Sequence, residues 1–352
     1  MRIAQVAPLY ESVPPKLYGG TERVVSHLTE SLVEQGHDVT LFASGDSVTT
    51  ATLVPCCREA LRLSHCVDPI AHHILMLEEV CRVAYQFDII HFHCDFLHFP
   101  VSRRQRTPHV TTLHGRLDIA DLVPLYEEFR EVPLISISDA QRAPLPWVNW
   151  QGTVYHGLPQ DLHCAGRGNG RYFAFLGRIS SEKRVDRAIE IARRSGIPLR
   201  IAAKVDRADE EYFNTEIRPL LRGSGVEFIG EIGEREKTDF LGGALALLFP
   251  IDWPEPFGLV MIESLACGTP VIGWNCGSVA EVITHGVTGF VVNSMDEALK
   301  AVQRLDDIDR RRCREVFEER FSVERMTSDY LSIYWRLQRS RGMPVAIGSE
   351  SA

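Results

Sequence analysis

The chain has 352 residues, 45% of them hydrophobic, and its 38 Lys and Arg against 47 Asp and Glu give a formal net charge of −9. That length fits two domains of roughly 150 residues each, and the apolar share lets each bury a core of its own. The acidic balance argues against a general nucleic-acid binder, which needs a clustered basic surface, and against a strongly basic membrane-docking face.

The nine cysteines are scattered and form no CxxC pair, which points to a reducing compartment with mostly buried thiols. The opening residues, interrupted by Pro8, do not read as a signal peptide. No run reaches the ~18 apolar residues of a bilayer span. The expectation is a cytoplasmic protein without an integral membrane segment, with peripheral membrane contact left open.

In the first half, strand-like runs fall at 3–7, 39–43, 89–92, 110–113 and 134–137. Between the first two lies a clear amphipathic helix: Val24, Val25, Leu28, Leu32 and Val33 recur at helical spacing, Thr21 offers an N-cap, and Gly36 stands where the helix should stop. Such alternation predicts a parallel sheet covered by helices. The second half repeats it, with strands at 172–176, 199–202, 226–229, 244–249, 271–273 and 290–292. A helix after Lys183 carries Val185, Ala188, Ile189 and Ala192 on one face. Residues 159–170, holding Pro159, Gly166, Gly168 and Gly170, read as the linker between the halves. The predicted domains are therefore 1–160 and 170–320. An aromatic-rich helix follows at 321–337, and the tail from 339 to 352 reads as frayed.

Gly19 and Gly20 follow the first strand and open a helix. A backbone without side chains can pass close to a ligand there, and the helix start favours a phosphate. An ordinary flexible turn is the alternative. Arg178 ends the first strand of the second half and Lys183 follows five residues later. A planar fork and a mobile ammonium at a strand's carboxyl end suit a diphosphate, whose charge grows as a sugar bond breaks. Glu255 precedes Pro256 and is thereby biased to an extended conformation. Gly258, Leu259 and Val260 would present free N–H groups at a helix start. Glu263 lies eight residues beyond Glu255, amid apolar neighbours, and needs a partner; two ribose hydroxyls would satisfy it. At ~1.5 Å rise per residue the two carboxylates would stand about 12 Å apart, so they would serve different parts of one ligand. His114 ends a strand and could meet sugar hydroxyls, with a structural histidine as the alternative. His91, His93 and His98 lack the accompanying ligands of a metal site, and no metal is expected.

These segments together resemble the retaining glycosyltransferases of the group 1, or family four, class. The resemblance runs over nearly the whole chain. It rests on Gly19-Gly20-Thr21-Glu22-Arg23-Val24-Val25, Thr112-Leu113-His114-Gly115, Gly177-Arg178-Ile179-Ser180-Ser181-Glu182-Lys183, Glu255-Pro256-Phe257-Gly258-Leu259-Val260-Met261-Ile262-Glu263 and Cys267-Gly268-Thr269-Pro270-Val271-Ile272. It implies an α/β fold of the GT-B type: two Rossmann-like domains facing each other across a cleft, with the C-terminal helix crossing back to the first. The implied reaction is transfer of a hexose from a nucleotide sugar to a small-molecule or glycan acceptor, with retention and by front-face attack. UDP-glucose is the preferred donor and GDP-mannose the second. Gly19 and Gly20 would approach diphosphate or sugar, and Arg178 and Lys183 would bind the diphosphate. Glu255 would hold the sugar and Glu263 the ribose, with Phe257, Gly258, Leu259 and Val260 cradling the donor. His114 would sit beside sugar and acceptor, and Gly230, Glu231 and Ile232 would meet the base. No cofactor or metal is implied. The stretch Tyr155-His156-Gly157 departs from the family pattern, which has Asn before that glycine.

Three rival readings compete with this one. A glycoside hydrolase or phosphorylase would need its carboxylates about 5–9 Å apart, against the helical spacing. A nucleotide-sugar epimerase on the same fold would need acid–base groups around the sugar's second carbon. A non-catalytic nucleotide-sugar-binding protein would have no need of His114 or Glu255.

Overall fold

The computed structural model describes residues 1–342 except Leu17, Tyr18, Leu63, His65 and Ser224, with 340–342 described by their backbone alone. Tyr18, beside the glycine pair, and the tail from 343 onward therefore lie outside the described residues.

Apolar runs become strands and amphipathic stretches become helices. The first half runs β1 (Arg2–Val6), α1 (Gly20–Glu34), β2 (Asp38–Ser44), β3 (Thr52–Cys57), α2 (Pro69–Val83), β4 (Ile89–Phe92), α3 (Phe99–Ser102), β5 (His109–Thr112), α4 (Leu122–Glu128), β6 (Leu134–Ser136), α5 (Asp139–Arg142) and β7 (Trp150–Thr153). The second runs β8 (Phe173–Arg178), α6 (Val185–Ser195), β9 (Leu199–Lys204), α7 (Glu210–Tyr212), β10 (Val226–Gly230), α8 (Glu234–Gly243), β11 (Ala246–Phe249), α9 (Leu259–Ala266), β12 (Val271–Trp274), α10 (Val279–Val282), β13 (Gly289–Val292), α11 (Met295–Val302), α12 (Arg310–Arg320) and α13 (Val323–Gly342).

The strands form two sheets, a seven-stranded one in the order β3-β2-β1-β4-β5-β6-β7 and a six-stranded one in the order β10-β9-β8-β11-β12-β13. Neighbouring strands are parallel; Ile3, for instance, pairs with Val39 on one side and Ile89 on the other. The central strands β4, β5, β11 and β12 are buried at every position, as helices on both faces require.

Two strands were absent from the sequence reading. β3 contains Pro55 and β7 contains Gly152 with φ 156°. Both sit at sheet edges and are only partly buried, so neither shows an apolar run. The start of α1 also differs from expectation. Gly19 takes the cap position in extended backbone, no side chain caps the helix, and Thr21 lies inside the first turn. Gly36 ends the helix with φ 80°, as its position predicted.

The segment 159–170 is less free than a linker. Gly166 N–H donates to Cys267 O at 2.9 Å, Gly168 N–H to Gly242 O at 3.0 Å and Gly170 N–H to Gly243 O at 2.9 Å. The approach is so close that a Cβ on Gly166 would lie 2.2 Å from Gly242 Cα. Its glycines thus lay it flat against the end of α8. Arg310 clamps the same place from below, donating to Gly166 O, Ala244 O and Gly242 O at 3.4, 3.0 and 3.1 Å and to Thr269 Oγ1 at 2.5 Å.

The late helix does return to the first sheet. The chain passes the junction twice side by side: Leu158 N–H donates to Phe321 O and Val323 N–H to Leu158 O, both at 2.9 Å. From there α13 lays Val323, Met326, Tyr330, Ile333 and Tyr334 against Ile3, Val24, Leu28, Val110 and Ile135. Each such side chain contributes about 1.5–3 kcal/mol of burial. The other face of that sheet carries a separate core of Val6, Phe42, Met76, Val80 and Phe92. Glu281 of α10 braces the junction by accepting from Asp139 N–H at 2.8 Å, Ala140 N–H at 2.7 Å and Tyr155 Oη at 3.1 Å.

Replacing Arg310 by Met should destabilise the chain by about 3 kcal/mol, because it strips charged donors from half-buried carbonyls. Urea unfolding should show a lower midpoint with an unchanged slope. An unmoved midpoint would mean that the strap holds without its clamp.

Candidate active site

Parallel strands leave loops at their carboxyl ends, and in doubly wound sheets ligands gather where strand order reverses. Here those points lie between β1 and β4 and between β8 and β11. A cleft of about 780 Å³ opens there between the halves, lined by the loops after β1, β4, β5, β8 and β11 and by the start of α9.

Lys183 and Glu255 form an ion pair across the floor of this cleft, with side chains 15% and 12% exposed. Trp253 flanks both: its ring centre lies 4.8 Å from Lys183 Nζ, and its indole N–H donates to Glu255 Oε2 at 3.0 Å. Arg178 pairs with Glu182 at 2.7 Å, and Asp206 and Asp209 stand farther off at 3.7 and 3.8 Å. Arg178 and Lys183 thus line the same cleft, each held by a carboxylate.

After Pro256 and Phe257 the chain turns at Gly258, which caps α9 with φ 79°. A side chain there would be strained by that backbone and would meet Met261 Cε at 2.9 Å. The turn starts α9 at the cleft, which Leu259 and Val260 line, and the first N–H groups of a helix have no intrahelical acceptor. Across the gap stands Gly20, whose absent Cβ would lie 3.5 Å from Leu259 Cδ1. Gly19 beside it is packed under Pro15.

Glu263 is 3% exposed. It was expected to await hydroxyls, but it already has a partner: Lys237 Nζ lies 2.7 Å from its Oε1. The same ammonium is 3.2 Å from Glu234, and Glu234 in turn pairs with Arg23 of α1 and lies 3.3 Å from His163 Nε2. Burial opposes ionisation of Glu234, but His163, Lys237 and Arg23 outweigh it and draw its carboxyl well below the usual range. This ladder ties the two halves together across the cleft. His163, Glu234 and Glu263 are also the one group of three metal-ligand side chains that converge among the described residues. The Lys237 ammonium already supplies positive charge to both carboxylates.

His114 faces the cleft from the end of β5. Its Nε2 lies 2.9 Å from His93 Nδ1, and its buried Nδ1 has no protein partner. Burial pushes its pKa down to about 3. His156 stacks on it at 5.4 Å and packs edge-on to Phe257 at 4.8 Å. The departure from the family pattern at Tyr155-His156-Gly157 thus has a place: His156 wedges between His114 and the α9 loop. Gly157 is needed because a Cβ there would lie 2.3 Å from Ser322 O.

The remaining expected contacts divide. Glu231 and Ile232 line the cleft; Gly230, which closes β10 with φ 80°, does not. His91, His93 and His98 are buried and hydrogen-bonded within the fold, to Thr112, Gln5 and Thr111 among others. The sequence reading missed Arg23, Lys237 and Trp253, which belong to the cleft only through folding. It also passed over Asp95, which lines the cleft in left-handed backbone with φ 49°. A non-glycine residue held in that region is the kind of strain that collects at functional sites.

Two family models match in succession: "Glycosyltransferase Family 4" over residues 18–151 and "Glycosyl transferases group 1" over 165–316. An N-acetyl-alpha-D-glucosaminyl L-malate synthase of Bacillus anthracis is 34% identical over 116 residues, which is 31% of this chain and 30% of that protein. The O-antigen chain mannosyltransferase C of Escherichia coli is 22% identical over 96% of this chain and 100% of its own length. Among solved structures, Alr3699/HepE of Anabaena in complex with UDP superposes with a TM-score of 0.72 at 16% identity, covering 96% of this chain and 100% of that one. Among the described residues no helix is long and apolar enough to cross a membrane.

Burial keeps His27, His91, His93, His98, His114 and His156 below their ordinary pKa, His27 at about 4 and His114 at about 3. Unfolding lets them take up protons near the free value of about 6.5. The unfolded chain then binds more protons, so stability is full above about pH 6.5 and is lost as pH falls toward the folded values. Each histidine contributes about 1.4 kcal/mol per pH unit inside that window. Urea unfolding at about pH 7 and about pH 5 should show a fall of several kcal/mol; equal stabilities would mean that these rings are already charged in the fold.

Proposed function

The chain belongs to the group 1 glycosyl transferases, and from that premise we propose that it moves a hexose from a nucleotide sugar to an acceptor hydroxyl with retention at the transferred carbon. One observation carries this reading: Arg178, Lys183, Glu255 and Glu263 line a single cleft. They come from the carboxyl end of β8, the loop after β11 and the buried face of α9.

The chemistry follows from their charges. The bond from the sugar's anomeric carbon to the diphosphate oxygen breaks, and negative charge builds on that oxygen. Arg178 and Lys183 line the cleft where they could take it, and one pre-placed hydrogen-bond donor to a developing oxyanion is worth about 2.7–4 kcal/mol. As Lys183 turns to phosphate it releases Glu255, whose oxygens are then open to sugar hydroxyls. The acceptor oxygen attacks from the side the diphosphate leaves, and its proton passes to the departing phosphate oxygen. No separate protein base is needed for that transfer. Glu263 would hold the ribose by exchanging Lys237 for two hydroxyls. The N–H groups at the start of α9 and the bare backbone of Gly19 and Gly20 would enclose phosphate and sugar. His114 would meet the sugar, and Glu231 and Ile232 the base.

UDP-glucose is the donor we favour, with GDP-mannose second. The UDP complex of the Anabaena protein and the mannosyltransferase relative stand behind these two choices. The acceptor, a small molecule or glycan, would enter along the first half's wall past Tyr10, Arg62 and Asp95, which line the cleft. We place the domain division at 1–160, completed by 321–337, and at 170–320, and the protein in the cytoplasm.

A donor panel in calorimetry tests the nucleotide, followed by acceptor screening with chromatography of the products. Arg178→Ala should weaken nucleoside-diphosphate binding by about 1.5–3 kcal/mol, roughly ten- to a hundredfold, since a charge-assisted bond is lost. Unchanged affinity would remove Arg178 from the diphosphate site. Glu255→Gln should lower kcat by roughly a hundredfold or more while leaving nucleotide affinity nearly intact. Equal losses in both would move Glu255 to the nucleotide.

A further inference from the structure

A line of hydrogen bonds leaves His114 and runs away from the cleft into the interior. His114 Nε2 lies 2.9 Å from His93 Nδ1, and His93 Nε2 lies 2.9 Å from Gln5 Oε1. Gln5 Nε2 donates to Tyr334 Oη at 3.2 Å, and Tyr334 Oη lies 2.6 Å from His91 Nδ1. His91 Nε2 then lies 2.7 Å from Thr112 Oγ1, which donates to Tyr330 Oη at 3.2 Å. Every member beyond His114 is buried, and they come from β1, β4 and the residue after it, β5 and α13.

The asymmetric member is Gln5. Its amide oxygen only accepts and its amide nitrogen only donates. With the oxygen turned to His93, the hydrogen between them sits on His93 Nε2. A neutral imidazole carries one ring hydrogen, so His93 Nδ1 is bare and accepts. The hydrogen between the two rings therefore sits on His114 Nε2, and His114 Nδ1 is left as a lone pair. That atom is the buried nitrogen without a protein partner. On the far side the same logic holds. Tyr334 receives the amide hydrogen of Gln5 and passes its own to His91 Nδ1, and His91 donates from Nε2 to Thr112. Burial keeps all three rings neutral, which the alternation requires.

We propose that Gln5, anchored by Tyr334 and acting through His93, is a positioning residue that fixes His114 as its Nε2–H tautomer, so that a bare Nδ1 accepts from a hydroxyl of the bound sugar or acceptor. This rests on the reading that His114 meets the substrate. Through it the returning helix α13 takes part in the site, since the hydroxyl paired with the Gln5 amide comes from Tyr334.

The test is nitrogen-15 NMR of the histidine-labelled full chain, with the His114 signals assigned by their loss in His114→Asn, together with steady-state kinetics. The wild type should show hydrogen on Nε2 of His114 and none on Nδ1; the opposite pattern overturns the proposal. Gln5→Leu removes the acceptor, so His114 should become a mixture of tautomers. Its kcat should fall roughly ten- to a hundredfold, as for loss of a residue that orients a ligand group, while the donor KM stays within about twofold. Gln5→Glu keeps an acceptor beside His93 and should restore the single tautomer and most of kcat. A folded Gln5→Leu protein with unchanged His114 signals and unchanged kcat overturns the proposal. If that variant does not fold, Tyr334→Phe replaces it: it frees the Gln5 amide to rotate, two His114 species are expected, and one unmoved species overturns the proposal. The NMR readings need no substrate. Failure of the transferase reading would appear separately, as a wild type that turns over no donor while its His114 signals are as expected.

Discussion

Lys183 and Glu255 meet across 72 positions of sequence, and their attraction holds the loop after β11 over the end of β8. In a partly dry cleft two opposite charges attract more strongly than in open water, and either is costly to leave alone. Trp253 fixes the pair from the side with its ring and its N–H. Once that loop is set, Gly258 begins α9 at one place, and α9 places Glu263. Lys237 and Glu234 carry the charge alternation on to Arg23 in the other half. The Arg23–Glu234 pair thus adds a charged tie between the halves to the backbone bonds at Leu158 and the brace at Glu281.

The same pairing shapes what the cleft can admit. Arg178, Lys183 and Lys237 each have a carboxylate at hand. An isolated anion that takes one of these cations strands a carboxylate and gains little. A ligand that brings anions for the cations and hydroxyls for the released carboxylates satisfies both. On the reading proposed above, a nucleotide sugar is such a ligand, so discrimination comes from exchange of partners rather than from bare charge.

Much of this was legible in the sequence, for identifiable reasons. Central strands announce themselves because both faces are buried, and β4, β11 and β12 are apolar nearly throughout. The edge strands β3 and β7 were not legible, since Pro55 and Gly152 break any pattern there. Arg178 and Glu255 could be found because a glycine or proline stands beside each, Lys183 because it follows a strand's end just before a helix, and Glu263 because it sits in a helix of apolar neighbours. Arg23 and Lys237 could not: on their own helices they read as ordinary surface charges, and only the meeting of α1 with α8 buries them. The pairing of Glu263 with Lys237 was hidden for the same reason. The histidines near β4 and β5 are hydrogen-bonded within the fold. Their wiring to Gln5 and Tyr334 joins residues 329 positions apart, and no local signal carries it.

The helix α13 has a consequence for how the protein is made. A ribosome delivers the first sheet early, and domains ordinarily fold in the order they emerge. Here one face of that early sheet waits for Met326, Tyr330 and Tyr334 to cover Ile3, Leu28 and Val110. Until they arrive, only α1 of this cluster's helices can pack on that face, through Val24, Leu28 and Leu32. The core of the first half is thus complete only when α13 has joined it.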